Sequence, residues 1–163
     1  MVRERIAVLL VCTGNICRSP TGEGVLRELA RKRGLEHALR IASAGTHGYH
    51  VGEPPDPRAI EHAGKRGYDL SRQRAVQVTK KDFESFDHIL AMDRDHLVLL
   101  RAMQPKGSRA VLGLFLDASS QWRGEDVPDP YYGGAEDFEQ VLDMVEEASA
   151  LWLDRIAASL CLH

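Results

Sequence analysis

Cys12 and Arg18 stand with five residues between them in Val11-Cys12-Thr13-Gly14-Asn15-Ile16-Cys17-Arg18-Ser19-Pro20. An apolar run precedes this stretch and a helix-opening Ser-Pro pair closes it. A loop that leads from a buried strand into a helix N-terminus gathers backbone N–H groups around one point and adds the helix dipole, which makes an anion site. A thiol under such a site feels the same field, which favours the nucleophilic thiolate. Arginine suits the task because its planar fork contacts two phosphate oxygens at once. The glycines and the lysine of an ATP-binding loop are absent. The spacing therefore predicts a cavity for a phosphate monoester placed for in-line attack by the Cys12 sulfur. Charge on the transferring oxygens would be held by Arg18 and by the N–H groups of Thr13, Gly14, Asn15, Ile16 and Cys17.

Sulfur attack leaves an alkoxide or phenoxide to expel, a step that calls for a general acid, followed by a base to activate water. Asp129, in Val127-Pro128-Asp129-Pro130-Tyr131-Tyr132-Gly133-Gly134, is the candidate. Prolines on both sides restrict its backbone. Asp126 and Asp117 are nearby rivals. Tyr131 and Tyr132 can wall a cleft for an aromatic ring.

These side chains need a scaffold, and the chain supplies alternating elements. Ile6 to Val11 reads as a strand buried on both faces. A helix is expected from Pro20 to Arg33, with Ser19 as its cap, Pro20 at its first position and Gly34 as a left-handed stop. Arg40 to Gly45 reads as a second strand, followed by a Gly- and Pro-rich loop with Tyr49 and His50 in its middle. Asp56-Pro57-Arg58 opens a second helix that ends near Gly64 or Gly67. A short helix within Val76 to Phe86 has Thr79 as its natural cap. Asp87 to Met92 is a third strand, Asp93 to Met103 a helix that Asp93 caps, and Arg109 to Leu116 a fourth strand. Phe138, Val141, Leu142, Val145, Leu151, Trp152, Ile156 and Leu160 recur at helical spacing in a long last helix. The alternation predicts an α/β three-layer sandwich: a four-stranded parallel sheet flanked by helices on both faces, forming a single domain over residues 1–163. In such sheets ligands bind beyond the carboxyl ends of the strands, where the Cys12 loop lies.

Composition excludes other classes. The formal net charge of −3 gives no sign of a nucleic-acid or membrane partner, and Arg31-Lys32-Arg33 reads as a solvated helix end. No apolar run approaches the roughly 20 residues of a membrane span. Met1-Val2-Arg3-Glu4-Arg5 runs straight into the first strand and leaves no room for a signal peptide. Three cysteines, an odd number, argue against a secreted disulfide framework, so a reduced, cytoplasmic protein is expected. The seven histidines lack ligand spacing, so neither a metal nor another cofactor is expected.

The loop from Cys12 to Pro20, together with Asp129-Pro130-Tyr131-Tyr132, closely resembles the low-molecular-weight protein tyrosine phosphatases. The resemblance extends through Ser43-Ala44-Gly45-Thr46, Val51-Gly52-Glu53-Pro54, Asp56-Pro57-Arg58-Ala59 and Met92-Asp93, so it covers nearly the whole chain. It implies a metal-independent hydrolase of phosphotyrosine and aryl phosphates working through a cysteinyl-phosphate intermediate. Cys12 would be the nucleophile, Arg18 the phosphate binder, and Asp129 the acid and then the base. Ser19 would hydrogen-bond the Cys12 thiolate, and Asn15 and Ser43 would hold the loop in its strained shape. Ile16 resembles the tyrosine-specific members, since related arginine phosphatases carry threonine there. Tyr49 lies where the family often has an aromatic at the cleft mouth, and with Tyr131 and Tyr132 it would sandwich the phenyl ring. Phosphotyrosine proteins are the implied partners, met by a monomer or weak dimer.

Two alternatives share the loop. A thiol-dependent arsenate reductase of this fold needs further cysteines after the third strand, and residues 80–110 contain none. A non-catalytic phosphate-binding module has no use for Asp129. Cys17 either fills space under the loop or forms a reversible disulfide with Cys12 under peroxide.

Overall fold

The computed structural model describes residues 5–161, so residues 1–4, on which the reading of the N-terminal start rests, lie outside the described residues. Strand β1, Ile6–Cys12, is buried at every position. Ile6, Val8, Leu10 and Cys12 face one core, while Ala7, Leu9 and Val11 face the other. That is the two-residue alternation of a strand, and it is apolar on both sides because both faces are covered. Strand β2 (Leu39–Gly45) lies on one side of β1, β3 (His88–Ala91) on the other, and β4 (Val111–Leu114) beyond β3. Every pairing is parallel, so the sheet is four-stranded and parallel as expected.

Helices α1 (Arg18–Lys32), α2 (Pro57–Lys65) and α5 (Ala135–Cys161) pack on the first face, through Val25 and Leu26, Ala59 and Ala63, and Phe138, Leu142 and Val145. The short α3 (Asp82–Ser85) and α4 (Arg94–Met103) cover the second, through Phe83, Leu97 and Leu100. The result is the three-layer sandwich that the sequence predicts. Among the described residues no helix is long and apolar enough to cross a membrane.

The order β2-β1-β3-β4 reverses direction between β1 and β3. Such a switch point opens a crevice at the carboxyl ends of the strands. Cys12 ends β1 and Asp93 follows β3, so the two are neighbours across the crevice although distant in sequence.

Some details differ from expectation. Helix α1 starts at Arg18, two residues before Pro20, and its cap position is Cys17, with no side chain capping it. The Ser19 hydroxyl is held elsewhere, as described below. Pro20 is tolerated two steps deeper, at the third helical position, because the first four N–H groups of a helix have no partner inside it. Strand β4 is shorter than Arg109 to Leu116. Asp117 Oδ2 accepts from the Leu114 N–H at 3.0 Å, and a 3-10 turn follows at Phe115–Ala118. Gly34, at φ +71°, and the Asp93 cap, accepting from His96 N, are as expected, and α2 opens at Asp56-Pro57-Arg58 with Asp56 accepting from Arg58 N. Trp152 is half-buried, with its indole N–H on Phe115 O at 2.6 Å.

Candidate active site

The loop between β1 and α1 is held from outside. The carbonyls of Cys12, Thr13 and Ile16 accept from the N–H groups of Thr46, His47 and Asp56 at 2.8, 3.0 and 2.8 Å. A trans peptide points each carbonyl opposite to the next N–H. The N–H groups of Thr13, Gly14 and Cys17 are thereby turned inward. Asn15 makes this curl possible by adopting φ +58°, a left-handed conformation in which asparagine is over-represented among non-glycine residues. Its side chain fastens the strained residue on three sides. Nδ2 donates to Ser19 Oγ at 2.8 Å and to Ser43 Oγ at 2.9 Å, and Oδ1 accepts from Val76 N at 3.0 Å.

These bonds give the Ser19 proton a direction. Ser19 Oγ accepts from Asn15 and lies 2.9 Å from Cys12 Sγ, nearer than its other neighbour, Ala44 O at 3.4 Å. Its one hydrogen is therefore available to the sulfur. Ser43 Oγ in turn donates to Glu23 Oε1 at 2.7 Å, and Arg27 pairs with Glu23 at 2.6 Å. Ser19, Asn15 and Ser43 thus form one hydrogen-bonded chain behind the sulfur. Asn15 lies behind the loop, outside the cavity wall. Glu23 as the terminus of this relay was not anticipated.

Arg18 is 4 % exposed, and a buried guanidinium must be paired. Its Nη1 donates to Asp93 Oδ2 at 2.8 Å and to Val127 O at 3.0 Å. Its Nη2 has only longer contacts, to Thr13 Oγ1 at 3.4 Å and Asp129 Oδ2 at 3.7 Å, which leaves it available for an anion.

Asp93 therefore does more than cap α4. Burial opposes its charge, but the His96 N–H and Arg18 outweigh burial and hold its carboxyl below the usual range. His96 is a second residue the sequence reading missed. Its Nε2 lies 2.7 Å from Thr13 Oγ1, and its Nδ1 lies 3.0 Å from Asp93 Oδ1. Desolvation lowers its pKa to about 4 despite the Asp93 carboxylate, so the ring is neutral at pH 7. The available signal was topological: both residues follow the strand next to β1, at the same sheet edge.

A cavity of about 230 Å³ opens above the sulfur. Cys12, Thr13, Gly14, Ile16, Cys17 and Arg18 form its floor, and Tyr49, His50, Asp129, Tyr131 and Tyr132 its walls. The sequence-selected residues are thus brought together, Asn15, Ser19 and Ser43 standing behind them. His50 also reaches the wall, with its ring Nδ1 2.5 Å from Glu53 Oε2. Of the acidic rivals, Asp126 accepts from Arg94 N at 3.0 Å and Asp117 from Leu114 N, and neither lines the cavity. Asp129 accepts from Tyr131 N at 3.1 Å. Tyr49 is 72 % exposed and stacks on His47, while Tyr131 and Tyr132 meet edge to face at 4.9 Å. Cys12 and Cys17 are free, buried thiols, and burial, followed by the Asp56 carboxylate, pushes the Cys17 thiol up. Among the described residues no group of three or more His, Cys, Asp or Glu side chains is arranged to hold a metal ion.

Fold and site together define a parallel α/β protein with a thiol seated in an anion-binding loop. The family model described as low molecular weight phosphotyrosine protein phosphatase matches residues 7–160. A putative low molecular weight protein-tyrosine-phosphatase of Synechocystis is 42 % identical over 142 residues, covering 86 % of this chain and 90 % of that one. The low molecular weight phosphotyrosine protein phosphatase of Schizosaccharomyces pombe is 41 % identical over 155 residues, covering 94 % and 99 %. The crystal structure of a protein tyrosine phosphatase from Entamoeba histolytica, with Hepes in the active site, superposes with a TM-score of 0.90 at 33 % identity, covering 94 % and 98 %. The chain belongs to the low molecular weight phosphotyrosine protein phosphatase family, whose members are cysteine-dependent, metal-independent hydrolases.

Proposed function

We propose that this protein hydrolyses phosphotyrosine in proteins through a phosphorylated Cys12. The observation that carries the reading is one cavity with the Cys12 sulfur, hydrogen-bonded to Ser19 at 2.9 Å, on its floor and with Arg18 and Asp129 beside it. The thiolate attacks phosphorus in line, and the S–P bond forms as the P–O bond to the tyrosyl ring breaks. Asp129 gives its proton to the leaving phenoxide. The resulting carboxylate then takes a proton from water as that water attacks phosphorus, releasing phosphate and the thiolate. Arg18 and the loop N–H groups hold the equatorial oxygens throughout.

Ile16 and the three tyrosines supply an apolar, aromatic slot that suits a phenyl ring. Phosphoserine is too short to reach the sulfur from its rim. The nucleophile must stay reduced, which suits a cytoplasmic protein. The same reading carries a single catalytic domain acting as a monomer or weak dimer on protein substrates, with no nucleic-acid or membrane partner. Under peroxide, Cys12 and Cys17 would join in a disulfide as peroxide is reduced to water. A Cys17→Ser variant should then recover less activity than the parent when reductant is added.

The test uses one peptide carrying phosphotyrosine, phosphoserine or phosphoarginine at the same position. Initial rates should be fastest by far on phosphotyrosine and lost in Cys12→Ser. Equal rates on phosphoserine or phosphoarginine would sink the substrate assignment.

A further inference from the structure

Arg58 lies outside the cavity wall, yet it reaches two carbonyls of the loop that carries Asp129. It is the second residue of α2, Pro57–Lys65. Its Nη2 donates to Tyr131 O at 2.8 Å, and Nη1 lies within reach of Gly133 O at 3.4 Å. Its guanidinium lies 4.8 Å from the centre of the Phe138 ring and 5.5 Å from that of Tyr131. The fork is also held from below. Nε and Nη2 donate to the two oxygens of Asp56 at 3.1 and 3.0 Å. Asp56 caps α2, and its own N–H donates to Ile16 O in the phosphate loop at 2.8 Å.

The Tyr131 backbone, through the two peptide groups that flank its Cα, links these contacts to the chemistry. Its N–H is donated to Asp129 Oδ1 at 3.1 Å, while its carbonyl is the group that Arg58 holds. Asp129 is therefore oriented by a residue that is itself pinned by Arg58. The other anchors are few. Val127 N donates to Met92 O, and Asp129, Tyr131, Tyr132, Gly133 and Gly134 are all exposed. A planar, doubly forked donor is the side chain that can bind a carboxylate on one side and carbonyls on the other.

The geometry points to Arg58 as a positioning residue. With Asp56 it ties the acid loop to the phosphate loop and sets Asp129 over the leaving-group oxygen, without touching substrate. This rests on the proposed acid role of Asp129. It separates two steps that a general loss of structure would not separate: attack by sulfur needs the phosphate loop alone, and protonation of the leaving group needs Asp129 in place.

The experiment measures kcat/KM, which reports formation of the cysteinyl phosphate, for a series of aryl phosphates whose phenols range from strongly to weakly acidic. Arg58→Ala should lose roughly 10- to 100-fold on phenyl phosphate, part of the full general-acid effect, and little on esters of strongly acidic phenols. Arg58→Lys, which keeps the charge and much of the stem but not the fork, should show the same selectivity to a smaller degree. In an Asp129→Asn background, Arg58→Ala should add nothing on phenyl phosphate, because an acid that is absent cannot be misplaced. Folding of each variant is followed by circular dichroism. An equal loss on all esters, no loss at all, or a full additive loss in the Asp129→Asn background overturns the proposal. If Arg58→Ala does not fold, Arg58→Lys alone decides by the same criteria. An Asp129→Asn enzyme without leaving-group dependence would instead overturn the acid assignment itself.

Discussion

The two loops that meet over Cys12 are built in opposite ways. In the phosphate loop Asn15, Arg18 and Ser19 are 3, 4 and 0 % exposed, and their polar atoms are bound to one another, to β2 and to the segment after β3. In the acid loop the Asp129 side chain is 47 % exposed and Tyr132 is 92 % exposed. That loop hangs on Arg58, on the Arg18 bond to Val127 O and on a few backbone bonds. The difference follows from the chemistry each must do. Stabilising a transferring phosphoryl group rewards dipoles that are already fixed, because no reorganisation is then needed during reaction. The acid must admit a large substrate, then water, and release phosphate, which a sealed loop would prevent. Buried strain is affordable only where the surroundings over-determine it. Asn15 sits in the loop that has such surroundings.

Substitutions in the two loops should therefore separate activity from stability. Asp129→Asn should lower kcat/KM on phenyl phosphate about 10²–10⁴-fold while moving stability by no more than about 0.5 kcal/mol, read by kinetics and by urea unfolding. A large stability loss would mean that the acid loop is as integral as the phosphate loop. Arg18→Lys should cost about 10²–10³-fold in kcat/KM, since an ammonium cannot hold two phosphate oxygens at once. Asn15→Ala should act on both axes. Activity should fall at least about tenfold and stability by about 2 kcal/mol, because the left-handed residue loses all three of its side-chain bonds. An unchanged melting temperature would contradict the over-determined loop described here.

The buried end of the comparison also has a pH signature. His96 has a folded pKa of about 4 against an ordinary value of 6.5, so the unfolded chain binds the proton more readily. Its contribution to stability is complete above pH 6.5 and is lost as pH falls towards 4. Asp93, held low, adds its own loss only below the ordinary carboxyl range. Urea midpoints between pH 7 and 4 should fall in the parent and stay flatter in His96→Asn. The smallest effect belongs to the exposed rim. Tyr132→Ala should raise KM for a phosphotyrosine peptide about 2- to 10-fold, an aromatic contact of roughly 0.5–1.5 kcal/mol, with kcat and stability little changed.

Much of this was legible in the chain because it is local. The strand periodicities, the helix start at Asp56-Pro57-Arg58, the Asp93 cap, the left-handed Gly34 and the Cys12–Arg18 spacing each depend on neighbours in sequence, and the fold follows from them. Asp129 was legible for a different reason: its motif lies more than a hundred residues from Cys12, but it resembles that of a known family. Where local rules failed, a tertiary contact had taken the group they relied on. Ser19 reads as a helix cap, yet its hydroxyl is held by Asn15 and Cys12, and α1 begins two residues earlier than expected. Asp93 does cap α4, and its second oxygen holds Arg18. Only the folded molecule could join Thr13 to His96, Ser43 to Glu23, and Arg58 to the Tyr131 carbonyl. Each of these bonds links residues far apart in sequence, and which buried polar groups meet is decided by the order in which the strands pack, not by the spacing of the residues themselves.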